Sequence, residues 1–422
     1  MLFRYWEKEP SAKLIMTEKY SIKKPVFRPT DPKARITQVD ILRGFALFGV
    51  LLVNVFGYNS SFFDFGGFYK TFNDPLNSMV FNLVIGFGAD KFIFIFSFLF
   101  GVGFSIMYLK YQADEQHFYR LYLRRLLVLM LFGIIHIVFF WAGDILFSYS
   151  LMGIILLFSR KLHSGLLLFF SVFAYFYPII HIALQSVLPF LPDALSSVTD
   201  ITMPTVIDIY SGGSYSEIFI LRLNEYYAFR NINLIYYAPK VISLFFLGYL
   251  FYKHKYLERI NSSPGRYSVV FVVLFTIGIV LNLFTDNIVN TLADPETNSF
   301  YLAIYMLVFE ITNIFLGLSY ILMILILSQI VFFKTILNPL KYVGRMALTN
   351  YLMQSIIFTT IMYSYGFGKF GSFQPWQLVI FAVVVFVLQI FISKIWLKNF
   401  RFGPLEWIWR KLTYLGIGIK AA

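Results

Sequence analysis

A histidine and a carboxylate eight residues apart, His136 and Asp144, stand in the apolar run GIIHIVFFWAGDIL. Neutral imidazole titrates close to physiological pH and suits general-base chemistry, and a carboxylate on its second nitrogen would fix the tautomer. Ionisable groups at membrane depth are costly, which makes them functional candidates. Plainer readings stand beside this one. The ring can bond a neighbouring carbonyl, and Asp144 can be a loop residue or the N-cap of the next helix.

Two spacings extend the pattern. Arg43 and Asn54 are eleven residues apart, as are Arg125 and His136, so each pair shares one helix face about 16 Å long. Each face carries a cation at one end and a polar group at the other, a line of polarity fit for a solute or for the extended arm of a carrier. Arg43 can instead snorkel or pair with Asp40, and Asn54 can make an interhelical hydrogen bond. Glu310, with Asn313 one turn on, is the acidic residue read as lying well inside a span, and it is a reserve candidate for proton handling. Asn350 and Gln354 form another one-turn pair, and the glycines of FSFLFGVGF suit close helix packing. The remaining histidines, His117, His163, His181 and His254, lack ligand spacing, so no metal site is expected. No nucleotide-binding or serine-nucleophile pattern stands out.

The elements that must position these groups follow from composition. The chain has 422 residues, 59% hydrophobic and 14% charged, the profile of an all-α polytopic membrane protein. The absence of cysteine excludes disulfides, thiolate catalysis and Cys-ligated zinc. About ten apolar segments approach the length that spans a bilayer. They fall at 41–56, 81–108, 121–141, 145–158, 166–188, 234–252, 269–283, 300–333, 346–365 and 378–397. With both termini cytoplasmic, 29 of the 35 Lys and Arg residues lie on the inner side, as the positive-inside rule requires. The net charge of +13 is therefore a topology signal, with attraction to anionic lipid as a by-product, and does not point to nucleic acid. The chain divides into a basic cytoplasmic tail (1–36), a first set of five spans (37–190), an extracytoplasmic loop or cap (191–232), a second transmembrane region (233–414) and a short tail (415–422). The first segment lacks the apolar core of a signal peptide. No internal repeat is evident.

Five stretches in order, QVDILRGFALFGVLLVN, FSFLFGVGF, GIIHIVFFWAGDIL, GRMALTNYLMQS and FGPLEWIWRKLTY, resemble the YeiB-like membrane proteins that carry the DUF418 domain. The resemblance covers about 35–414 and implies a bacterial cytoplasmic membrane location. That family is similar, more distantly, to the transmembrane acyltransferases that include heparan-α-glucosaminide N-acetyltransferase. This implies transfer of an acyl group, acetyl being the leading candidate, from cytoplasmic acyl-CoA to an extracytoplasmic acceptor such as a sugar or glycan. Acyl-CoA would be a co-substrate, with no permanently bound cofactor, and the distant relatives suggest a homodimer. The carry-over is firmest at Arg43, Gly44 and Asn54. The loop that holds the active histidine in the lysosomal enzyme contains none here, between 57 and 90, so His136 is the candidate for that role.

Combined, these readings place CoA phosphates on a basic rim of Arg43, Arg120, Arg124, Arg125 and Arg345. The pantetheine arm runs outward, His136 oriented by Asp144 deprotonates the acceptor, and Asn54 donates to the developing oxyanion. The competing class is a small-solute or proton-coupled transporter using Glu310 and His136. A third is a structural or sensor protein without catalysis.

Overall fold

The computed structural model describes residues 35–61, 68, 70–185, 187, 188, 190, 191, 203–292 and 299–415. Nearly all of the basic tail, residues 192–202 of the outer loop and the final segment 416–422 lie outside the described residues.

Among the described residues every regular element is helical. The first half comprises α1 (Thr37–Asn59), α2 (Pro75–Gly88), α3 (Lys91–Tyr111), α4 (Glu115–Phe139), α5 (Leu146–Ser159) and α6 (Ser164–Gln185). The outer segment contributes α7 (Met203–Gly212) and α8 (Tyr215–Ala228). A π-helical turn at Ile232–Tyr237 leads into α9 (Ala238–Lys253), followed by α10 (Tyr256–Ser262), α11 (Pro264–Leu292) and α12 (Ser299–Leu327). The chain closes with α13 (Val331–Leu337), α14 (Leu340–Arg345), α15 (Ala347–Met362), α16 (Pro375–Asn399) and α17 (Pro404–Tyr414).

Seven helical stretches among the described residues are long and apolar enough to cross a bilayer, and one of them, Pro75–Phe139, runs through α2, α3 and α4. α5 is apolar but shorter, at 14 residues. Each segment expected from hydropathy falls on a helix, with two corrections. The segment 81–108 is broken at Asp90, whose φ of 62° is left-handed and cannot continue a right-handed helix. The segment 300–333 ends its first helix at Leu327 and restarts at Val331.

Burial is inverted relative to a soluble domain. Phe169, Val269, Phe391 and Ile395 are each about 60% exposed, whereas Ser97, Asn313, Gln354 and Gln389 are at most 1% exposed. Apolar side chains therefore face outward to lipid, and the polar groups of the spans meet each other inside. Close backbone crossings hold the helices together. A Cβ on Gly101 would lie 2.1 Å from the Phe245 carbonyl oxygen and one on Gly248 would lie 2.0 Å from that of Phe98, so α3 and α9 pack only because both residues lack one. Of the two FSFLFGVGF glycines, Gly101 thus serves packing, as expected, whereas a Cβ on Gly103 would meet nothing within 4 Å.

Candidate functional site

The end of α4 and the turn after it build the first half of the site. The His136 carbonyl accepts the Phe140 and Trp141 amides, which closes the helix and frees the chain to double back. Asp144 then does two things. Its Oδ1 accepts the Phe147 amide at 2.7 Å, capping the first turn of α5, and its Oδ2 lies 2.8 Å from His136 Nδ1. The carboxylate partner weighed from sequence is therefore present, and the same side chain bonds the first turn of α5 from one residue before its N-cap, Ile145. Gly133 permits it, because a Cβ there would sit 2.4 Å from the Phe147 nitrogen and 2.9 Å from Asp144 Oδ1.

The second half comes from α15. Ser355 Oγ lies 2.7 Å from His136 Nε2 and 2.8 Å from the Tyr58 hydroxyl of α1. All four side chains are buried. Asn54 sits against the Tyr58 hydroxyl, one turn back along α1. One orientation of protons satisfies the whole chain. Asn54 donates to Tyr58, Tyr58 to Ser355, Ser355 to His136 Nε2, and His136 Nδ1–H to Asp144. That places a hydroxyl, an imidazole and a carboxylate in the geometry by which a nucleophile–base–orienter triad is recognised. Tyr351, one turn before Ser355, lays its ring 5.3 Å from the imidazole and donates to the Gly143 carbonyl at 3.3 Å.

A cavity of about 300 Å³ approaches this network from the basic end of the bundle, at the lower end of the range of small-molecule sites. Its inner end is formed by Leu146, Tyr149 and Tyr351, and its mouth by Arg35, Arg43, Lys110, Arg125, Arg345 and Arg410, with Asp40 and Glu406 as its acidic members. Six cations against two carboxylates leave the mouth strongly positive. Asp40 is bracketed by Arg35 and Arg43, at 2.9 Å from each, the local pairing of Arg43 considered above. The Arg125 guanidinium stacks on Trp409 at 3.9 Å, and the Trp409 indole N–H donates to the Arg125 carbonyl. Burial, then the neighbouring Arg35, lowers the Arg345 pKa, and burial followed by Arg125 pushes Arg410 down to about 10, still charged at neutral pH. The amphipathic α17 carries Glu406, Trp409 and Arg410 to this rim. The Glu406 carboxylate accepts the Leu348 and Thr349 amides and the Thr349 hydroxyl, capping α15 from outside its own chain segment.

The two arginines at the mouth that come from distant sequence meet through their glycine neighbours. A Cβ on Gly44 would lie 2.2 Å from the Leu340 carbonyl oxygen, and one on Gly344 would lie 1.9 Å from that of Asp40. α1 and α14 therefore cross in backbone contact, and Arg43 and Arg345, each next to a glycine, flank the crossing.

Of the residues expected at the site, His136, Asp144 and Asn54 belong to one network, and Arg43, Arg125 and Arg345 line the cavity. Arg120 and Arg124 do not line it. Positions 120 and 124 are rotated about 140° and 100° from 125 on α4, and both are exposed, Arg124 donating to the Leu415 carbonyl. Asn350 and Gln354 point away from His136 and tie α15 to α16 through Ser393 and Gln389. Ser355, Tyr58, Arg410 and Glu406 were not singled out from sequence. The signal for Ser355 was its one-turn spacing from Tyr351 within GRMALTNYLMQS. No group of three or more candidate metal ligands is present among the described residues.

A second polar cluster lies apart from the first. Lys240 of α9 is 2.8 Å from Asp90 and 2.7 Å from Glu310, and the Tyr236 hydroxyl donates to Glu310 from the π-helical turn. Lys91 is fully buried with its ammonium 5.0 Å from the Phe309 ring centre. Lys91 and Lys240, two of the six cations that the positive-inside count leaves off the inner side, are thus interior residues, Lys240 held by both carboxylates and Lys91 over an aromatic face.

The fold and these sites define a multi-pass α-helical membrane protein with a buried polar network beside the inner end of a cation-rimmed cavity. The chain belongs to the YeiB-like DUF418 family. Residues 251–416 match the family described as "Protein of unknown function (DUF418)". The chain is 32% identical to "Uncharacterized protein YxaH" of Bacillus subtilis, over 92% of this chain and 96% of the relative. It is 26% identical to "Uncharacterized protein YeiB" of Escherichia coli, over 91% and 97% of the two chains.

Proposed function

We propose that the protein is a membrane acyltransferase that moves an acyl group, most simply acetyl, from cytoplasmic acyl-CoA to an extracytoplasmic hydroxyl or amine acceptor such as a sugar. The observation that carries this reading is the cavity, whose mouth sets six cationic side chains against two carboxylates and whose aromatic inner end stops at Tyr351, against the His136 ring. Guanidinium groups suit the CoA phosphates, and the apolar throat suits the pantetheine arm. At the inner end His136 acts as the base, Asp144 holds its tautomer, and Tyr58, backed by Asn54, faces the developing oxyanion.

The reading needs the basic end of the bundle to be cytoplasmic. Ten spans, built from α1, α3, α4, α5, α6, α9, α11, α12, α15 and α16 with both termini inside the bacterial cytoplasmic membrane, would place it there. The test is transfer of labelled acetyl from acetyl-CoA to a sugar mixture by protein reconstituted in vesicles. Transfer that His136→Ala abolishes supports the reading, and undiminished transfer by that variant removes it.

One observation favours a second reading. Lys91, Lys240 and Glu310, buried together beside the half-buried Asp90, resemble the interior charge relays of proton-coupled transporters. Acyl-CoA binding separates the two, because a transporter has no use for it.

A further inference from the structure

We propose that Ser355 is a nucleophile that carries the acyl group as a covalent ester between donor and acceptor; this rests on the acyl-transfer reading above. Three observations lead to it. Ser355 Oγ lies 2.7 Å from His136 Nε2, while Nδ1 is held 2.8 Å from Asp144, so the proton acceptor faces the serine. The Tyr58 hydroxyl is 2.8 Å from the same oxygen and can donate to it, leaving the serine proton for the imidazole alone. The third is enclosure. His136 and Ser355 are both 0% exposed and the adjoining cavity is about 300 Å³, at the lower end of small-molecule sites, so a nucleotide-bearing donor and a second substrate held there together would need more room than that. A serine ester removes that need, since the donor can leave before the acceptor arrives.

The chemistry balances in two half-reactions. In the first, Ser355 Oγ attacks the thioester carbonyl and its proton passes to His136 Nε2. The carbon–sulfur bond breaks, and the imidazolium returns the proton to the departing CoA thiolate. In the second, an acceptor hydroxyl attacks the ester carbonyl and gives its proton to His136. The carbon–oxygen bond to Ser355 breaks, and the serine recovers a proton from the imidazolium. Asp144 stabilises the imidazolium in both. Tyr351, one turn from Ser355 and lining the cavity's inner end, separates the donor path from the serine, so rotation of this ring admits the thioester.

The experiment uses the full chain in detergent with acetyl-labelled acetyl-CoA and no acceptor, followed by denaturation and peptide mapping. The expected result is one acetyl group on the peptide holding Ser355, released by hydroxylamine. The label is lost in Ser355→Ala, which still binds free CoA, and it returns as a thioester in Ser355→Cys. Acetyl transfer by Ser355→Ala at more than about a hundredth of the wild-type rate overturns the nucleophile and leaves acyl transfer standing. A fluorophosphonate probe, which needs no acyl donor, separates the two claims further. Labelling of Ser355 that depends on His136 supports the activated serine even if acetyl-CoA does not bind, whereas absence of both labels overturns it.

Discussion

His136 Nε2 lies 2.7 Å from the Oγ of Ser355, although 219 residues separate them in the chain. The bond joins the first half of the bundle to the second, and it turns a histidine–aspartate pair into a three-residue relay. Substituting Asp144 by Asn keeps the shape but leaves the imidazole without its anionic partner. Acyl transfer should fall by about 10²–10⁴-fold with little change in acyl-CoA affinity, as steady-state rates beside a binding isotherm would reveal. A variant that loses affinity but not turnover would place Asp144 in binding instead.

Gly133 should tolerate no side chain. A Cβ would meet the Phe147 nitrogen at 2.4 Å and Asp144 Oδ1 at 2.9 Å, so Gly133→Ala must push the 144–147 turn off α4. Overpacking of this kind costs about 1–3 kcal/mol, and the carboxylate moves away from the imidazole. Thermal unfolding in detergent should show a lowered midpoint together with lost activity; an unchanged midpoint would mean the contact is absent.

The charge of Glu406 should be visible as a pH effect. Burial raises its pKa above the usual carboxylate range, against the hydrogen bonds from Thr349. A carboxyl raised on folding contributes stability that is fully present below its unfolded value, near 4.5, and is lost as pH rises through the folded value. Glu406→Gln keeps an acceptor for the α15 amides without the charge. The midpoint of the wild type should therefore drop relative to that variant as pH rises from the acid side. Parallel curves for the two proteins would contradict the assignment.

Lys240 pairs with both Asp90 and Glu310, at 2.8 and 2.7 Å. Removing one partner leaves buried charge uncompensated, at a cost of about 3–5 kcal/mol. Lys240→Met should therefore unfold markedly earlier while the folded fraction binds CoA within about twofold of wild type. A large loss of CoA affinity in folded protein would link the two clusters and weaken the view that they are separate.

The parts of this site that could be read from the chain are those built locally. His136 and Asp144 are eight residues apart and close within one helix end, and Arg43, Arg125 and Arg345 were marked by charge at the basic ends of apolar runs. Ser355 was hidden because a serine inside an apolar helix is common glue, and its partners, His136 of α4 and Tyr58 of α1, come to it only through tertiary packing. Lys91 and Lys240 fall among the six cations that the positive-inside count leaves off the inner side, and hydropathy registers such a cation without registering the carboxylates nearby that make its burial tolerable. The break at Asp90 was masked by the continuous apolar run around it. Arg120 and Arg124 looked equivalent to Arg125 in sequence, and the helical rotation between neighbours separates them in space.

The most direct test of the account is a titration of purified, detergent-solubilised protein with acetyl-CoA and free CoA, beside Arg125→Ala and Arg125→Lys. Hydrogen bonds to a charged partner contribute about 1.5–3 kcal/mol, so the account predicts saturable binding weakened at least tenfold by Arg125→Ala. Arg125→Lys should restore it only partly, because an ammonium cannot reproduce the bidentate, Trp409-stacked geometry, and affinity should fall with added salt. Folded wild-type protein that binds no acyl-CoA would contradict the account and shift attention to Lys240 and Glu310 as the working centre.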